Sequence, residues 1–410
     1  MSRSPVQHIP MTQFKTDANV LQVNGRSVLD LADQLGTPFY AYDSSLMTAR
    51  VETLRKVLPQ SIHLHYAMKA NPMPEVVNYM AQLVDGLDVA SHGELEVALR
   101  SGTAPHNISF AGPGKRDEEL DAAINAGVTI NVESEGELAR IDRIGSRLGI
   151  RPQVAIRVNP DFELKSSGMK MGGGPKQFGI DAERVPLVLE ALGSLDCTFR
   201  GFHIFSGSQN LRHEAIIEAH DKTFELAIRL AKFAPSPVEL LNIGGGFGIP
   251  YFPGEAALDL VPIAANLGRL LPEVTLALPQ AEIVTELGRY LVGEAGIYVC
   301  KIIDKKVSRG HTYLITDGGL HHHLAASGNF GQVIRKNYPV VIASRMESEE
   351  KEIVSVVGPL CTPLDLLADR VELPRTEPGD LVAVYQSGAY GYSASPHGFL
   401  SHPIALEIFI

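Results

Sequence analysis

Between residues 35 and 290 one pattern recurs: a short apolar run, a polar or glycine-containing turn, then a stretch with helical spacing. The apolar runs are IHLHYAMK, GLDVAS, ISFAGP, TINVES, QVAIRVN, FRGFHIFS, LLNIGGG and EIVTELG. Between them lie helical patterns such as GELEVALRSG (93–102), EGELARIDRIGSRLG (135–149) and HEAIIEAHDKTFELAIRLAKF (213–233). Strands that alternate with helices imply parallel pairing, and eight such units predict an α/β chain with a closed, TIM-like (β/α)8 barrel over 35–290.

Beyond residue 290 the pattern changes. YVCKIIDKKVSRGHTYLITDGG, KEIVSVVGPL and GDLVAVYQSGAY read as antiparallel strands separated by turn residues. A chain of 410 residues exceeds one ordinary core. A second, mostly antiparallel β domain is therefore expected over 291–410, with residues 1–34 (VLQVNGRSVLDLA) adding a strand. The Gly- and Lys-rich segment 163–179 reads as the one long loop inside the barrel.

A net charge of −11 argues against nucleic acid and anionic membrane surfaces as partners. No run of about 18 apolar residues spans a membrane, and MSRSPVQHIPMTQF lacks the apolar core of a secretory signal. Cys197, Cys300 and Cys361 stand too far apart for a disulfide framework or a metal spacing. A cytoplasmic protein is the expectation.

The placement of polar residues in the eight runs is more specific. Lys69 ends the first, Asp88 sits in the second, Ser134 ends the fourth, and Arg157 and Asn159 end the fifth. His203 and Ser206 end the sixth, Gly244, Gly245 and Gly246 follow the seventh, and Glu286 and Arg289 end the eighth. In a barrel all these ends share the face that carries chemistry. Singly, each has a plainer reading as a solvated cap or a turn; together they converge. Lys69 reads as buried, and a lone buried ammonium is costly unless paired, deprotonated or covalently used. Glycines after strand seven suit a phosphate, a lysine can carry an aldehyde cofactor as a Schiff base, and a carboxylate can hold a pyridine nitrogen protonated. This set points to pyridoxal 5'-phosphate, with Lys69 as an imine.

YAMKANP, GLDVASHGELEVALRSG, INVESEGEL, RVNP, GFHIFSGSQ, NIGGGFG, TELGRY, GPLCTPLD and SGAYGYSAS occur in that order. Together they resemble the barrel-type pyridoxal-phosphate decarboxylases of alanine racemase-like fold, a family that includes diaminopimelate, ornithine and arginine decarboxylases. The resemblance covers nearly the whole chain. It implies that Lys69 forms the Schiff base, His203 stacks on the ring and Asp88 lies near the imine. It implies phosphate binding by Ser206, Gly244, Gly245, Gly246, Gly288, Arg289 and Tyr390, and a Glu286 that meets the pyridine nitrogen with support from Arg157. It makes Cys361 a proton donor reaching the opposite subunit's site, hence a homodimer with shared sites, and puts Arg289, Thr362, Asp365 and Tyr390 toward the substrate. The plainer reading of Cys361 is a small buried core residue. The implied reaction is amino-acid decarboxylation; Glu286 and Cys361 speak against a racemase, and the presence of Lys69 and Cys361 against an inactive regulatory homologue.

Three departures bear on substrate. Thr362 follows the cysteine where diaminopimelate decarboxylases have an acid. DGGLHHHLAASGNFGQVIRKNYPV replaces an Arg-Pro-x-Leu-Tyr motif, and SASPHGFLSHP replaces Ser-x-Tyr-Asn. These variants resemble an exosortase-associated subgroup and the decarboxylase of a glutamyl group tethered to an acyl carrier protein. The expected substrate therefore lacks a free distal amine or is carrier-bound; the alternative is a genuine meso-diaminopimelate decarboxylase of lysine biosynthesis. His321, His322 and His323, being consecutive, point in different directions and suit a loop or substrate pocket better than a metal. Lys165, Lys170 and Lys176 read as a solvated charge run, with a lid toward an acidic carrier as the sharper alternative.

Overall fold

The eight apolar runs are strands: β1 (Ile62–Ala67), β2 (Gly86–Val89), β3 (Ile108–Phe110), β4 (Thr129–Val132), β5 (Gln153–Asn159), β6 (Thr198–Ile204), β7 (Leu240–Gly245) and β8 (Glu282–Leu287). The structure, a computed structural model, describes residues 7–163, 169–170 and 172–410. All pairings among the eight are parallel, in the order β5-β6-β7-β8-β1-β2-β3-β4, and β4 pairs back onto β5 to close the barrel. Every residue of β2, β3 and β4 is buried, as expected of strands covered on one side by helices and on the other by the barrel core.

Local chemistry starts and stops the helices. Ser91 and Ser134 cap the helices His92–Arg100 and Glu135–Leu148 by accepting from the N–H of Glu94 and Glu137. Ser134 is thus a helix cap, the plainer of its two readings. The second helix turns Leu138, Ile141, Ile144 and Gly145 inward at helical spacing.

The chain divides into two compact units. One holds residues 50–249 and 257–288, and the other residues 1–49, 250–256 and 289–410. The first boundary falls at 49/50 rather than near 35, because Phe39–Tyr42 pairs with Gly296–Ser308 and Leu406–Phe409 in the second unit. That unit carries a mostly antiparallel sheet, to which Val340–Ile342, Leu381–Val384, His311–Thr316, Lys351–Val357 and Leu366–Pro374 also belong. The N-terminal strand Val20–Val23 does not join this sheet. It pairs with Thr16–Asp17 and Arg26–Ser27 in a small sheet of its own. Its inward residues Leu21 and Val23 share a core with Phe39, Ile297 and Val299.

Among the described residues no helix is long and apolar enough to cross a membrane, and no group of three or more His, Cys, Asp or Glu could hold a metal ion. Lys165 lies outside the described residues, and of Lys170 only the backbone is described, pairing with Gly207. Asn159 ties down the far side of that segment, accepting from Gly173 N and donating to Gly174 O and Asp181.

Candidate active site

Lys69 lies two residues past β1, on the short 3-10 turn Met68–Ala70, and is exposed. The expectation of a buried ammonium is therefore corrected: the turn swings Lys69 out of the strand, while its neighbours Met68 and Ala70 stay buried. What survives is its location at the C-terminal mouth of the barrel. Its Nζ lies 5.9 Å from the centre of the Phe205 ring, just beyond β6. Glu94, a residue not singled out from the sequence, senses the same ammonium. Burial raises its carboxyl above the usual range, against the opposing pull of the Ala90 N–H and of Lys69.

Inside the barrel, β6 and β8 bring His203 and Glu286 together. Both are buried, and His203 Nε2 stands 3.2 Å from Glu286 Oε2. Burial pushes the Glu286 carboxyl up, but the His203 imidazole, then Lys69 and Arg157, pull it well below the ordinary range. Asn242 of β7 donates to the same oxygen at 3.1 Å. Glu286 is thus an ionised carboxylate held in the barrel interior. Arg157 acts on it only through space: its own ion pair is with Glu133, at 2.8 Å, and its guanidinium lies 4.9 Å from the centre of the Phe178 ring. Glu133 was not anticipated; its Oε1 also accepts from Gly112 N and its Oε2 from Gly179 N.

Gly244, Gly245 and Gly246 leave β7 with little room around them. Gly246 has φ +81°, and a Cβ there would overlap the carbonyl oxygen of Gly207; a Cβ on Gly245 would overlap that of Glu286. The next turn is clamped by Gln209, whose amide donates to Ile249 O at 2.6 Å and accepts from Ile249 N. Ser206 is half-buried beside this turn in sequence, and Gly288 closes against Ala67 O.

These residues fit pyridoxal phosphate on three counts. The glycine turn is a bare backbone cradle suited to an anion. Among the described residues, three buried polar atoms here, Asp88 Oδ2 and both ring nitrogens of His203, have no aligned hydrogen-bond partner. An ionised carboxylate stands ready for a protonated heterocycle.

The second unit carries its own groups. Arg289 donates to the Tyr251 hydroxyl at 2.8 Å and lies 4.6 Å from the Tyr390 ring centre, a cation boxed by two tyrosines. Cys361 is exposed while Cys197 and Cys300 are buried, so it is no core cysteine. Thr362, beside it, is half-buried and neutral. Asp365 is buried and both its oxygens are engaged by the backbone: Oδ1 accepts from Leu320 N at 2.6 Å and Oδ2 from Leu360 N at 2.8 Å. It ties the cysteine turn to the turn before His321.

His321, His322 and His323 are all buried. His322 pairs with Pro403 O at 2.7 Å and His323 with Ser387 Oγ at 2.9 Å, while the His321 ring centre lies 3.7 Å from that of His322, tilted by 41°, and 5.2 Å from that of His402. The two segments that replace family motifs thus pack on each other. Burial first, and for His321 and His322 the neighbouring imidazoles too, lowers all three: His321 and His323 to about 3 and His322 to about 4. Free histidine titrates near 6.5, so the unfolded chain gains protons below that pH which the fold refuses. Stability from these groups is complete above about pH 6.5 and falls with pH until the folded values are reached. Each contributes about 1.4 kcal/mol per pH unit across that window. Denaturant midpoints between pH 7 and 4.5 should therefore drop steeply, and His321→Leu should remove about a third of the slope that these three groups contribute. An unchanged slope would contradict the assignment.

Residues 44–293 match the family model described as "Pyridoxal-dependent decarboxylase, pyridoxal binding domain". The chain is 39% identical over 394 residues to the L-glutamyl-[BtrI acyl-carrier protein] decarboxylase of Niallia circulans, covering 95% of this chain and 92% of that one. It is 33% identical to the diaminopimelate decarboxylase of Aquifex aeolicus, covering 95% and 90%. The crystal structure of the Helicobacter pylori diaminopimelate decarboxylase complexed with L-lysine superimposes with a TM-score of 0.81 at 28% identity, covering 94% of each chain. A mouth-facing lysine, a glycine cradle and a buried ionised acid on a closed barrel agree with that kinship, and the chain belongs to the pyridoxal-phosphate-dependent decarboxylases of the diaminopimelate decarboxylase family.

Proposed function

We propose that this decarboxylase acts on an amino-acid centre whose distal end carries no free amine, with a glutamyl group tethered to an acyl carrier protein as the leading candidate. One observation carries the reading. Beside Cys361 the side chain is the neutral Thr362, and the nearby acid, Asp365, has both oxygens taken by backbone N–H groups. A distal ammonium would find no free carboxylate on this turn. The Niallia circulans relative, whose name specifies a carrier-bound L-glutamyl group, supports the same reading.

Lys69 is proposed to bind the cofactor covalently, the 244–246 turn to hold its phosphate through backbone N–H groups, and Glu286 to keep a proton on its pyridine nitrogen. When bound, pyridoxal phosphate supplies the electron sink that makes loss of CO2 feasible. His203 and Asn242 hold the Glu286 carboxylate in its ionised form and fix its aim. The exposed Cys361 thiol of a second copy is proposed to return a proton to the reacting carbon, which makes the working unit a homodimer.

A panel of meso-diaminopimelate, ornithine, lysine, free glutamate and carrier-tethered glutamate, with CO2 release as readout, tests the substrate. Leaving a buried charge unpaired typically costs roughly 2–5 kcal/mol, about thirtyfold to several thousandfold in kcat/KM. The three diamino substrates should be poorer by that margin than the preferred one. Efficient turnover of meso-diaminopimelate would overturn the proposal and restore the lysine-pathway assignment, which the Aquifex aeolicus relative keeps in view.

A further inference from the structure

A buried polar chain crosses four strands beneath the site. Asn131 of β4 donates to Ser109 Oγ at 3.2 Å, Ser109 donates to Asp88 Oδ1 at 2.5 Å, and His65 Nδ1 lies 3.5 Å from the same oxygen. All four side chains are buried. The chain ends on Asp88 Oδ2, which has no hydrogen-bond partner among the described residues. Oδ1 is thus committed to strand neighbours, while Oδ2 is left for a group that enters the site.

His65 holds the pivotal place. It stands on β1 two residues before Ala67, which pairs with Asp88, and its Cα partners are Gly86 on β2 and Glu286 on β8. Gly86 admits the ring: a Cβ there would overlap His65 Nε2 and the Asn107 carbonyl oxygen. The acids facing His65 are Asp88 from β2 and Glu286 and Glu282 from β8. Burial works against its protonated form, but these acids, Asp88 foremost, outweigh it and raise its pKa.

We propose that His65 is a positioning residue for the decarboxylase, an imidazole set against Asp88 Oδ1 that fixes the Asp88 carboxylate with Oδ2 left for the lysine-bound cofactor. Ser109 completes the support by donating to Oδ1, and Asn131 orients Ser109 by donating to its Oγ. The inference rests on the reading of Lys69 as the cofactor lysine.

The test uses cofactor-loaded enzyme and the variants His65→Asn, His65→Phe and Ser109→Ala. Three quantities are measured: the pH midpoint of the lysine–cofactor absorbance, the cofactor Kd, and the site of borohydride labelling. Loss of the imidazole removes a partner of Asp88 Oδ1 and leaves the carboxylate less compensated beside the linkage, which favours the linkage's protonated form. Both His65 variants should therefore raise the midpoint by about half a pH unit or more. Ser109→Ala should weaken cofactor binding severalfold. Folded variants with wild-type midpoint and Kd, losing only thermal stability, would overturn the proposal and reduce His65 to a core residue. Should both His65 variants fail to fold, a wild-type Kd in Ser109→Ala would overturn it alone. Labelling that maps away from Lys69 in the wild type would instead sink the lysine assignment, so the two failures are distinguishable.

Discussion

Lys69→Ala should lose at least roughly a thousandfold in turnover together with the borohydride-reducible lysine–cofactor linkage. The lysine stands at the mouth of a barrel whose interior offers the Glu286 carboxylate fixed by His203 and, without a partner among the described residues, Asp88 Oδ2. Its side chain is exposed, so truncation removes no core packing and creates no cavity. The thermal midpoint without cofactor should therefore stay close to wild type, which separates a chemical loss from a folding defect. Reduction of the wild type, followed by peptide mapping, locates the linkage. A persistent adduct in Lys69→Ala would move the covalent site to another lysine and undo the assignment of the barrel mouth.

The barrel was legible because its strands recur as short, β-rich runs, such as ISF and TINV, at regular intervals between helices with clear serine caps. The convergence of Lys69, His203, Glu286 and the 244–246 glycines followed from the topology alone, since parallel strands end on one face. Burial at Lys69 was misjudged because apolar spacing continues through Met68, and nothing in that spacing reports the 3-10 turn that ends the strand. His65 was hidden by the opposite effect. It lies inside an apolar run, and its partners arrive from β2 and β8, far off in sequence. The bonding of Asp365 was hidden for a similar reason: a sequence shows an acid shortly after a cysteine, but not that Leu320 and Leu360 supply two N–H donors to it. The N-terminal strand has the alternation of a sheet member, and only register reveals that its partners are its own neighbours rather than the larger sheet.

If the working unit is the proposed homodimer, mixing two inactive variants, Lys69→Ala and Cys361→Ala, should restore activity. Cys361 is exposed on a turn held by Asp365, and an exposed thiol can serve a site on another copy where a buried one cannot. If each site takes its lysine from one copy and its cysteine from the other, a hybrid dimer has one site with both groups and one with neither. Random exchange of equal amounts makes half the dimers hybrids, so activity should reach roughly a quarter of the wild-type value at equal protein. Cys361→Ala alone should slow the protonation step by about a hundredfold to ten-thousandfold, the usual range for a positioned proton donor, while the lysine linkage remains trappable. Labelled subunits would verify exchange independently of activity. Full exchange without recovery would place lysine and cysteine in the same chain's site or remove the cysteine from the chemistry; those two cases differ in whether Cys361→Ala alone is slow.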